Sequence, residues 1–198
     1  MRSVRSAGGL IGPTALALVA LAIVAAGGMA ARCGTGWARV LWQRHPRGIV
    51  IHHSASCAVT GGRLVGVADI DRWHAHRGWG QSTATGEYHV GYHYVILADG
   101  TVQSGRPEWM AGAHTVGHND CLGICLVGNF SSSAAGPAGR PTHKQLDSLV
   151  HLLVRLLRKH HLEVGDIHRH RDLARTACPG DQMPFEAVLA RVKKALAT

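Results

Sequence analysis

Residues 49–56 have the sequence IVIHHSAS, a short apolar run that ends in a pair of histidines. The segment from Gly48 to His53 is rich in Ile and Val, which is typical of a strand buried in a sheet. Side chains alternate between the two faces of a strand, so His52 and His53 point to opposite faces and only one of them can reach a given site. The run therefore predicts a core strand that carries one imidazole to one face of a sheet.

A second stretch with metal-binding side chains lies near the other end of the chain. Residues 168–180 have the sequence HRHRDLARTACPG, which contains His168, His170, Thr176 and Cys178. Imidazole and thiolate are usual protein ligands of zinc, and three such ligands leave a fourth position open for water or substrate. Closed structural zinc sites use four ligands, often in short paired motifs, and the chain has no CxxC pair. The pattern favours a catalytic zinc site over a buried thiol with unrelated surface histidines.

The sequence between these two stretches alternates between helical and strand patterns. Residues 67–77 have apolar side chains at helical spacing, and residues 122–127 form another buried apolar run. Residues 92–97 and 101–104 flank an Asp99-Gly100 pair. An Asp-Gly pair between two apolar runs predicts a β-hairpin.

The C-terminal part of the sequence predicts two more helices and a short strand. Thr142 and Gln145 have the spacing of a capping box at the start of an amphipathic helix. Residues 164–168 fit a short strand that leads into the metal stretch, and residues 184–196 fit a last amphipathic helix. We therefore expect an α/β domain with a central mixed sheet flanked by helices, and a metal site at one edge of that sheet.

The N-terminal segment has the pattern of an export signal. Arg2 and Arg5 precede an uncharged run whose most apolar part is residues 15–26. That part is shorter than the roughly 20 residues of a membrane span and matches the apolar region of a signal peptide. We expect residues 1–31 to be a signal peptide; the alternative is an uncleaved anchor that crosses a membrane with residues 10–31.

The rest of the chain follows as a linker, residues 32–46, and a single domain, residues 47–198. The expected location is the periplasm, the cell wall or the extracellular space, with membrane contact only through the N-terminal segment. A formal net charge of +9 indicates an anionic partner. The basic residues are scattered and aromatic residues make up 5% of the chain, which argues against nucleic acid. For an exported protein, we expect an acidic polymer of the cell envelope.

The cysteine count is odd for an exported protein, since the chain has five. If Cys178 binds a metal, four remain for up to two disulfides. Cys121 and Cys125 are too far apart along an extended strand to form a mutual bridge, and we expect Cys125 to be a small core residue. A bridge between Cys57 and Cys121 is one candidate pairing.

Five motifs occur in an order that resembles a known enzyme family. They are IVIHHSAS, GYHYVILADGTVQSGR, AGAHTVGHND, CLGICLVGN, and HRHRD with TACPG. The chain resembles zinc-dependent N-acetylmuramoyl-L-alanine amidases of type 2, which include short phage amidase-lysozymes and animal peptidoglycan recognition proteins. The resemblance covers residues 48–179. It implies one zinc ion per chain and hydrolysis of the amide between N-acetylmuramic acid and L-alanine in peptidoglycan.

The resemblance also assigns roles to individual residues. It implies His52, His170 and Cys178 as the zinc ligands, at one end of the sheet in a substrate groove. It gives Tyr92 a catalytic role, either as a hydrogen-bond donor to the oxyanion or in proton transfer. Phage relatives carry a lysine where this chain has Thr176, and threonine is a poor general acid. We therefore expect Thr176 to orient the oxyanion or the substrate.

Three further residues are candidates for contact with the substrate. His114 lies in a Gly-rich turn that fits a wall of the groove, and Trp79 is a candidate for the groove lining. His93 follows Tyr92 and points to the opposite face, which fits a core or supporting role as well as substrate contact. We expect a monomer. The alternative function is a peptidoglycan-binding module without catalysis, and the presence of Cys178 and Tyr92 argues against it.

Overall fold

The computed structural model describes residues 45–83, 86–133 and 139–198. In chain order, the elements are β1 (Ile49–His53), β2 (Val59–Thr60), β3 (Arg63–Leu64), α1 (Val67–Ala75), β4 (Gln81–Thr83), β5 (Gly86–Tyr88), β6 (Tyr94–Ile96), β7 (Val102–Ser104), β8 (Leu122–Leu126), α2 (His143–His160), a 3-10 turn (Val164–Asp166), β9 (Ile167–Arg169), α3 (His170–Leu173) and α4 (Phe185–Leu196). The expected signal peptide or anchor, and nearly all of the expected linker, lie outside the described residues. Within the described ranges, no helix is long and apolar enough to cross a membrane.

The central sheet is mixed and contains five strands in the order β7-β6-β8-β1-β9. β1 is parallel to both of its neighbours, and Ile49 pairs with Leu122 of β8 and with Ile167 of β9. β6 is also parallel to β8, whereas β7 is antiparallel to β6. The carboxyl ends of β1, β8 and β9 therefore meet at one end of the sheet, where open α/β sheets usually bind ligands.

The alternation of side chains along β1 assigns one histidine to each face of the sheet. Ile49 and Ile51 belong to the apolar core under α2 and α4. His53 shares that face, and its ring lies 5.8 Å from the ring of Phe130. The ring of His52 lies on the other face, 5.1 Å from the ring of Tyr92. The prediction that the two histidines diverge is confirmed.

Two apolar clusters pack on the two faces of the sheet. The larger cluster joins β1, β6 and β8 to α2 and α4 and includes Leu149 and Leu153, which are fully buried. The smaller cluster packs α1 against the other face and includes Ile70, Val95 and Cys125. Burial of large aliphatic side chains stabilises the fold by about 1.5–3 kcal/mol each. The expected α/β domain, with helices on both faces of a mixed sheet, is confirmed.

The sequence correctly predicts the turn between β6 and β7 and the start of α2. Gly100 has a φ of +91° in the turn between β6 and β7, a backbone conformation that favours glycine. At the start of α2, Thr142 Oγ1 accepts the backbone N–H of Gln145, and Gln145 Oε1 accepts that of Thr142, both at 3.1 Å. Gln145 Nε2 also donates to the carbonyls of Ile96 (3.1 Å) and Val127 (2.9 Å). The capping box therefore also ties the first turn of α2 to the sheet.

The expected strand over residues 164–168 is wrong in its first half. Val164–Asp166 form a 3-10 turn, and β9 begins only at Ile167. The Asp166 carboxylate accepts the backbone N–H of Glu163 at 2.7 Å, and such local bonds favour turns over strands. His170 begins α3 instead of continuing β9, so His168 and His170 do not share one strand face.

The described cysteines do not form a disulfide. Cys57, Cys121, Cys125 and Cys178 are all free, with Cys57 exposed and Cys121 buried. The candidate bridge between Cys57 and Cys121 is therefore wrong. Cys125 is fully buried in the core on the α1 side, as its position in an apolar strand predicts.

Candidate metal centre and substrate groove

Three side chains that are far apart in the sequence meet at the carboxyl end of the sheet. His52 comes from the end of β1, His170 is the first residue of α3, and Cys178 lies in the loop after α3. One ligand atom from each lies within 4.8 Å of the other two, and Cys178 Sγ is 3.7 Å from His52 Nδ1. Two imidazoles and one thiol, with no fourth ligand from the described residues, are a donor set that could hold a metal ion and leave one position open, as in catalytic zinc sites.

The Cys178 thiol is held by backbone groups. The backbone N–H of His53 points at Sγ from 3.4 Å. Thr176 Oγ1 accepts the backbone N–H of Cys178 at 3.2 Å, and the Cys178 carbonyl accepts the backbone N–H of Arg171 at 2.9 Å. Burial raises the pKa of Cys178 to about 11, against the opposing effects of the His53 N–H and the Arg171 charge. A bound cation would displace the proton and stabilise the thiolate.

The imidazoles at the site are neutral. Burial, and then the neighbouring rings of His114 and His170, hold the pKa of His52 well below its usual range. Burial lowers the pKa of His170 as well, and that of His114 to about 3. A neutral imidazole has one nitrogen with a free lone pair, which is the form that binds a metal.

A hydrogen-bonded group lies behind His52. His52 Nε2 is 3.1 Å from His114 Nδ1, and His114 Nε2 is 3.0 Å from the Cys121 carbonyl oxygen. Thr115 Oγ1 lies 3.0 Å from His114 Nδ1. His114 is 8% exposed, so most of its ring is inside the protein while one side borders the groove described below. The sequence pattern indicated only a groove wall at this position.

Tyr92 lies next to His52, just before β6. Its ring is 5.1 Å from the ring of His52 and 5.5 Å from that of His74. Burial, followed by the neighbouring Cys125 and Cys178, holds the pKa of Tyr92 well above its usual range. The phenol therefore stays protonated at neutral pH and is available as a hydrogen-bond donor.

A groove of about 470 Å³ reaches the metal centre. Its wall includes the exposed ring of Trp79, which is 4.6 Å from the ring of His74, and His170 also borders it. Arg106 also borders the groove, although it is only 4% exposed. Its Nε donates to the Val90 carbonyl at 2.7 Å. The structure thus places the predicted Trp79 and His114 on one groove that leads to the predicted ligands.

The third predicted substrate residue lies elsewhere. His93 is buried, with Nε2 2.8 Å from the Met110 carbonyl oxygen and Nδ1 accepting the Gly123 N–H at 2.9 Å. Both ring nitrogens of His93 therefore form hydrogen bonds with backbone groups. The sequence patterns assigned no role to Arg106 or His74, and His74 belongs to none of the quoted motifs. The available signal for Arg106 was its position at the end of the motif GYHYVILADGTVQSGR, two residues after β7.

Comparisons with known proteins agree with this geometry. The family model described as N-acetylmuramoyl-L-alanine amidase matches residues 42–181. The endolysin of Enterobacteria phage T3 is 40% identical over 116 residues, which cover 58% of this chain and 70% of the phage protein.

Solved structures give the same result. The endolysin N-acetylmuramoyl-L-alanine amidase LysCS from Clostridium intestinale is 34% identical, with a TM-score of 0.61 over 76% of this chain and 86% of the neighbour. The ectodomain complex of the peptidoglycan recognition proteins LCa and LCx, solved with tracheal cytotoxin, matches with 26% identity and a TM-score of 0.56. That match covers 71% of this chain and 80% of the other.

Proposed function

The chain belongs to the N-acetylmuramoyl-L-alanine amidase family, and from that membership we propose that it cleaves peptidoglycan with one zinc ion held by His52, His170 and Cys178. The bond cleaved is the amide between the lactyl group of N-acetylmuramic acid and L-alanine. Hydrolysis leaves a carboxylate on the sugar and a free amine on the stem peptide. The observation that carries the zinc-dependent form is the convergence of two imidazoles and a thiol within 4.8 Å.

The ligands and their supports have separate tasks. When bound, zinc supplies Lewis acidity that polarises the scissile carbonyl and makes water more nucleophilic. His52 and His170 offer neutral imidazole nitrogens, and Cys178 offers a sulfur that the His53 N–H stabilises as a thiolate. Because His53 donates from its backbone, its own ring remains free to accept the Phe130 N–H on the other face of the sheet, at 3.1 Å.

Two neighbouring hydroxyl groups complete the catalytic proposal. Tyr92 keeps its proton because burial raises its pKa, and it donates a hydrogen bond to the oxygen on which negative charge develops. Thr176 is exposed, and its oxygen accepts the Cys178 N–H, so it orients the ligand loop. Its O–H can still donate to the substrate, since a hydroxyl both accepts and donates.

The groove and the charge of the chain fit an anionic wall polymer. Trp79 offers an exposed ring to the sugar or stem peptide, and Arg106 and His114 border the same groove. The net charge of +9 favours association with an acidic envelope. We assign residues 1–31 to export or anchoring, and we assign the monomer as the acting unit.

A pair of cysteine variants tests the metal assignment. Cys178→Ser removes the only thiol ligand, and we expect release of stem peptides from purified cell walls to fall about 10³-fold or more. Cys57→Ser is the matched control, because Cys57 is an exposed free cysteine outside the ligand cluster. Mass spectrometry of the products checks that the new amine belongs to L-alanine.

Metal analysis completes the test. Purified wild-type protein should carry about one zinc per chain, and a strong chelator should stop cleavage until zinc is restored. Full activity of Cys178→Ser would overturn the ligand set. Binding of peptidoglycan without cleavage or bound metal would instead support a recognition module.

A further inference from the structure

A chain of hydrogen bonds extends from the metal centre into the protein. His52 turns Nδ1 toward Cys178, at 3.7 Å, and Nε2 toward His114 Nδ1, at 3.1 Å. His114 Nε2 in turn lies 3.0 Å from the Cys121 carbonyl oxygen. The ligand nitrogen of His52 is therefore linked through two imidazole rings to a backbone acceptor in the interior.

The directions of these bonds follow from the last member of the chain. A carbonyl oxygen only accepts, so His114 Nε2 must carry a proton. His114 is 8% exposed, and the hydrogen-bond partners of its ring are His52, the Thr115 hydroxyl and the Cys121 carbonyl, none of which is a carboxylate that would stabilise a second proton on the ring. His114 Nδ1 therefore has a lone pair and accepts a hydrogen bond from the Nε2–H of His52. A neutral His52 with its proton on Nε2 has its own lone pair on Nδ1, facing Cys178.

We propose that His114 is a positioning residue that fixes the tautomer and ring orientation of His52, so that Nδ1 is always presented to the metal. This inference rests on the proposed function, because it takes His52 as a ligand. It assigns to His114 a task distinct from contact with the substrate. Groups that bond the second nitrogen of a ligating histidine typically strengthen metal affinity 10–100-fold.

The surroundings of His114 are shaped to hold its ring. A Cβ atom on Gly112 would lie 2.4 Å from His114 Cδ2, and a Cβ atom on Gly123 would lie 2.5 Å from it. Both glycines therefore leave space that the His114 ring fills. Asn119 Oδ1 accepts the backbone N–H groups of His114 (2.9 Å) and Thr115 (3.0 Å), which fixes the backbone on which the ring is mounted. Gly123 lies in β8, so the central sheet itself forms part of this seat.

Two substitutions at this position separate the two hydrogen bonds. His114→Asn keeps an acceptor near the place of Nδ1, facing His52, but cannot reach the Cys121 carbonyl. His114→Gln keeps a donor near the place of Nε2 and loses the acceptor that faces His52. We expect His114→Gln to weaken zinc affinity about 10–100-fold, and His114→Asn to weaken it several-fold less.

The readout is binding of the metal alone. Zinc dissociation constants are measured by competition with a coloured chelator on the full chain, and the visible spectrum of the Co²⁺-loaded protein reports the ligand geometry. His160→Gln is the matched control: its imidazole is 9% exposed and bonds the Glu108 carboxylate, and it lies outside the ligand cluster. We expect it to lose stability and keep the zinc affinity and Co²⁺ spectrum of the wild type.

A measurement on the wild type needs no variant to fold. Imidazole ¹⁵N chemical shifts of the zinc-free protein should show protonated Nε2 and unprotonated Nδ1 on both His52 and His114. A proton on His52 Nδ1 would overturn the inference. So would His114→Gln with wild-type zinc affinity and Co²⁺ spectrum but a raised KM, which would mark His114 as a substrate contact.

Failure of the proposed function has a different signature. In that case the wild type itself binds no zinc, and neither variant at position 114 changes a metal affinity. If the wild type binds zinc and only the His114 results fail, the ligand set stands and the role of His114 does not.

Discussion

The metal centre can be compared with a second cluster of ionisable groups, the Glu108 cluster, which lies where the chain after β7 meets the end of α2. There the Glu108 carboxylate accepts hydrogen bonds from Tyr94, from His160 at 2.5 Å and from Lys159 at 2.9 Å. Burial alone would raise the pKa of Glu108, but these three donors together lower it to about 2. The negative charge of Glu108 is therefore stabilised by donors that belong to the cluster itself.

The metal centre differs from the Glu108 cluster in charge and in hydrogen bonding. Its rings are neutral, and no carboxylate of the described residues is among the groups that act on His52. A hydrogen bond between His52 Nε2 and His114, and one from the His53 backbone N–H to Cys178, engage the far sides of these two ligands and leave Nδ1 of His52 facing Cys178. The two clusters thus differ in whether lone pairs remain for a cation. That difference, more than burial or perturbed pKa, distinguishes a binding centre from a structural one.

His170→Ala tests this difference most severely. Loss of one of three ligands should lower stem-peptide release about 10³-fold or more and reduce bound zinc well below one per chain. Cleavage assays and metal analysis measure both effects. His168→Ala, two residues earlier on β9 and outside the ligand cluster, is the control and should keep both values. Equal losses in the two variants would show that the fold of this segment, and not the ligand, was removed.

Tyr92→Phe asks whether the phenol acts in the reaction or only packs. The ring is retained, so zinc content and thermal stability should stay close to wild type. Loss of one donor to the developing charge should lower kcat about 10²–10³-fold with little change in KM. Steady-state kinetics on a soluble muropeptide measure this. A kcat within about threefold of wild type would reduce Tyr92 to a packing role.

Glu108→Gln tests whether the Glu108 cluster stabilises the fold through its charge. A carboxylate with a lowered pKa adds stability above its unfolded pKa, near 4.5, and that stability is lost as the pH falls toward its folded pKa of about 2. The variant should therefore be less stable by on the order of 2 kcal/mol at pH 7, and the gap should close between pH 4.5 and 2. Denaturant unfolding across this range measures it.

Two controls show whether the effect of Glu108→Gln comes from the loss of its charge. Zinc content should not change in Glu108→Gln, because the cluster contributes no ligand. Glu186→Gln removes the same charge from an exposed position on α4 and should cost little at any pH. A pH-independent loss in Glu108→Gln would mean that packing, and not charge, is what the residue supplies.

We expect the smallest effect from Thr176→Val. It removes the acceptor of the Cys178 N–H, a single partly exposed hydrogen bond worth about 0.5–1.5 kcal/mol. We expect kcat/KM to fall by a small factor, about 2–10-fold, and Thr176→Ser to restore it. A loss as large as that of Tyr92→Phe would promote Thr176 from loop support to direct chemistry.

The sequence is informative where a structural feature depends on neighbours in the chain. The alternation of β1, the Asp99-Gly100 turn and the capping box of Thr142 and Gln145 are all local, and all are confirmed. The strand expected from residue 164 fails for a local reason as well, because Asp166 bonds the backbone of Glu163 and forms a turn. Apolar periodicity alone does not register such a side-chain bond.

The sequence is much less informative about contacts between distant segments. The hydrogen bond from His52 to His114 joins residues 62 positions apart, and the approach of Cys178 to the His53 backbone spans 125. The types of the ligands were visible in the sequence. Which nitrogen of each ring faces the metal, and what holds the other nitrogen, depends on loop geometry that no pattern encodes.

The glycine beneath His114 has a consequence for anyone who wants a heat-resistant form of this protein. Replacing glycine by alanine usually stabilises a chain by about 0.4–1 kcal/mol where the backbone permits it, because the unfolded state loses freedom. Gly165, in the turn before β9, has open space around it and suits that strategy. Gly123 sits in a regular strand and looks just as suitable, yet a methyl group there would lie 2.5 Å from His114. Gly123→Ala would displace the His114 ring and, under the role proposed for His114, weaken metal binding.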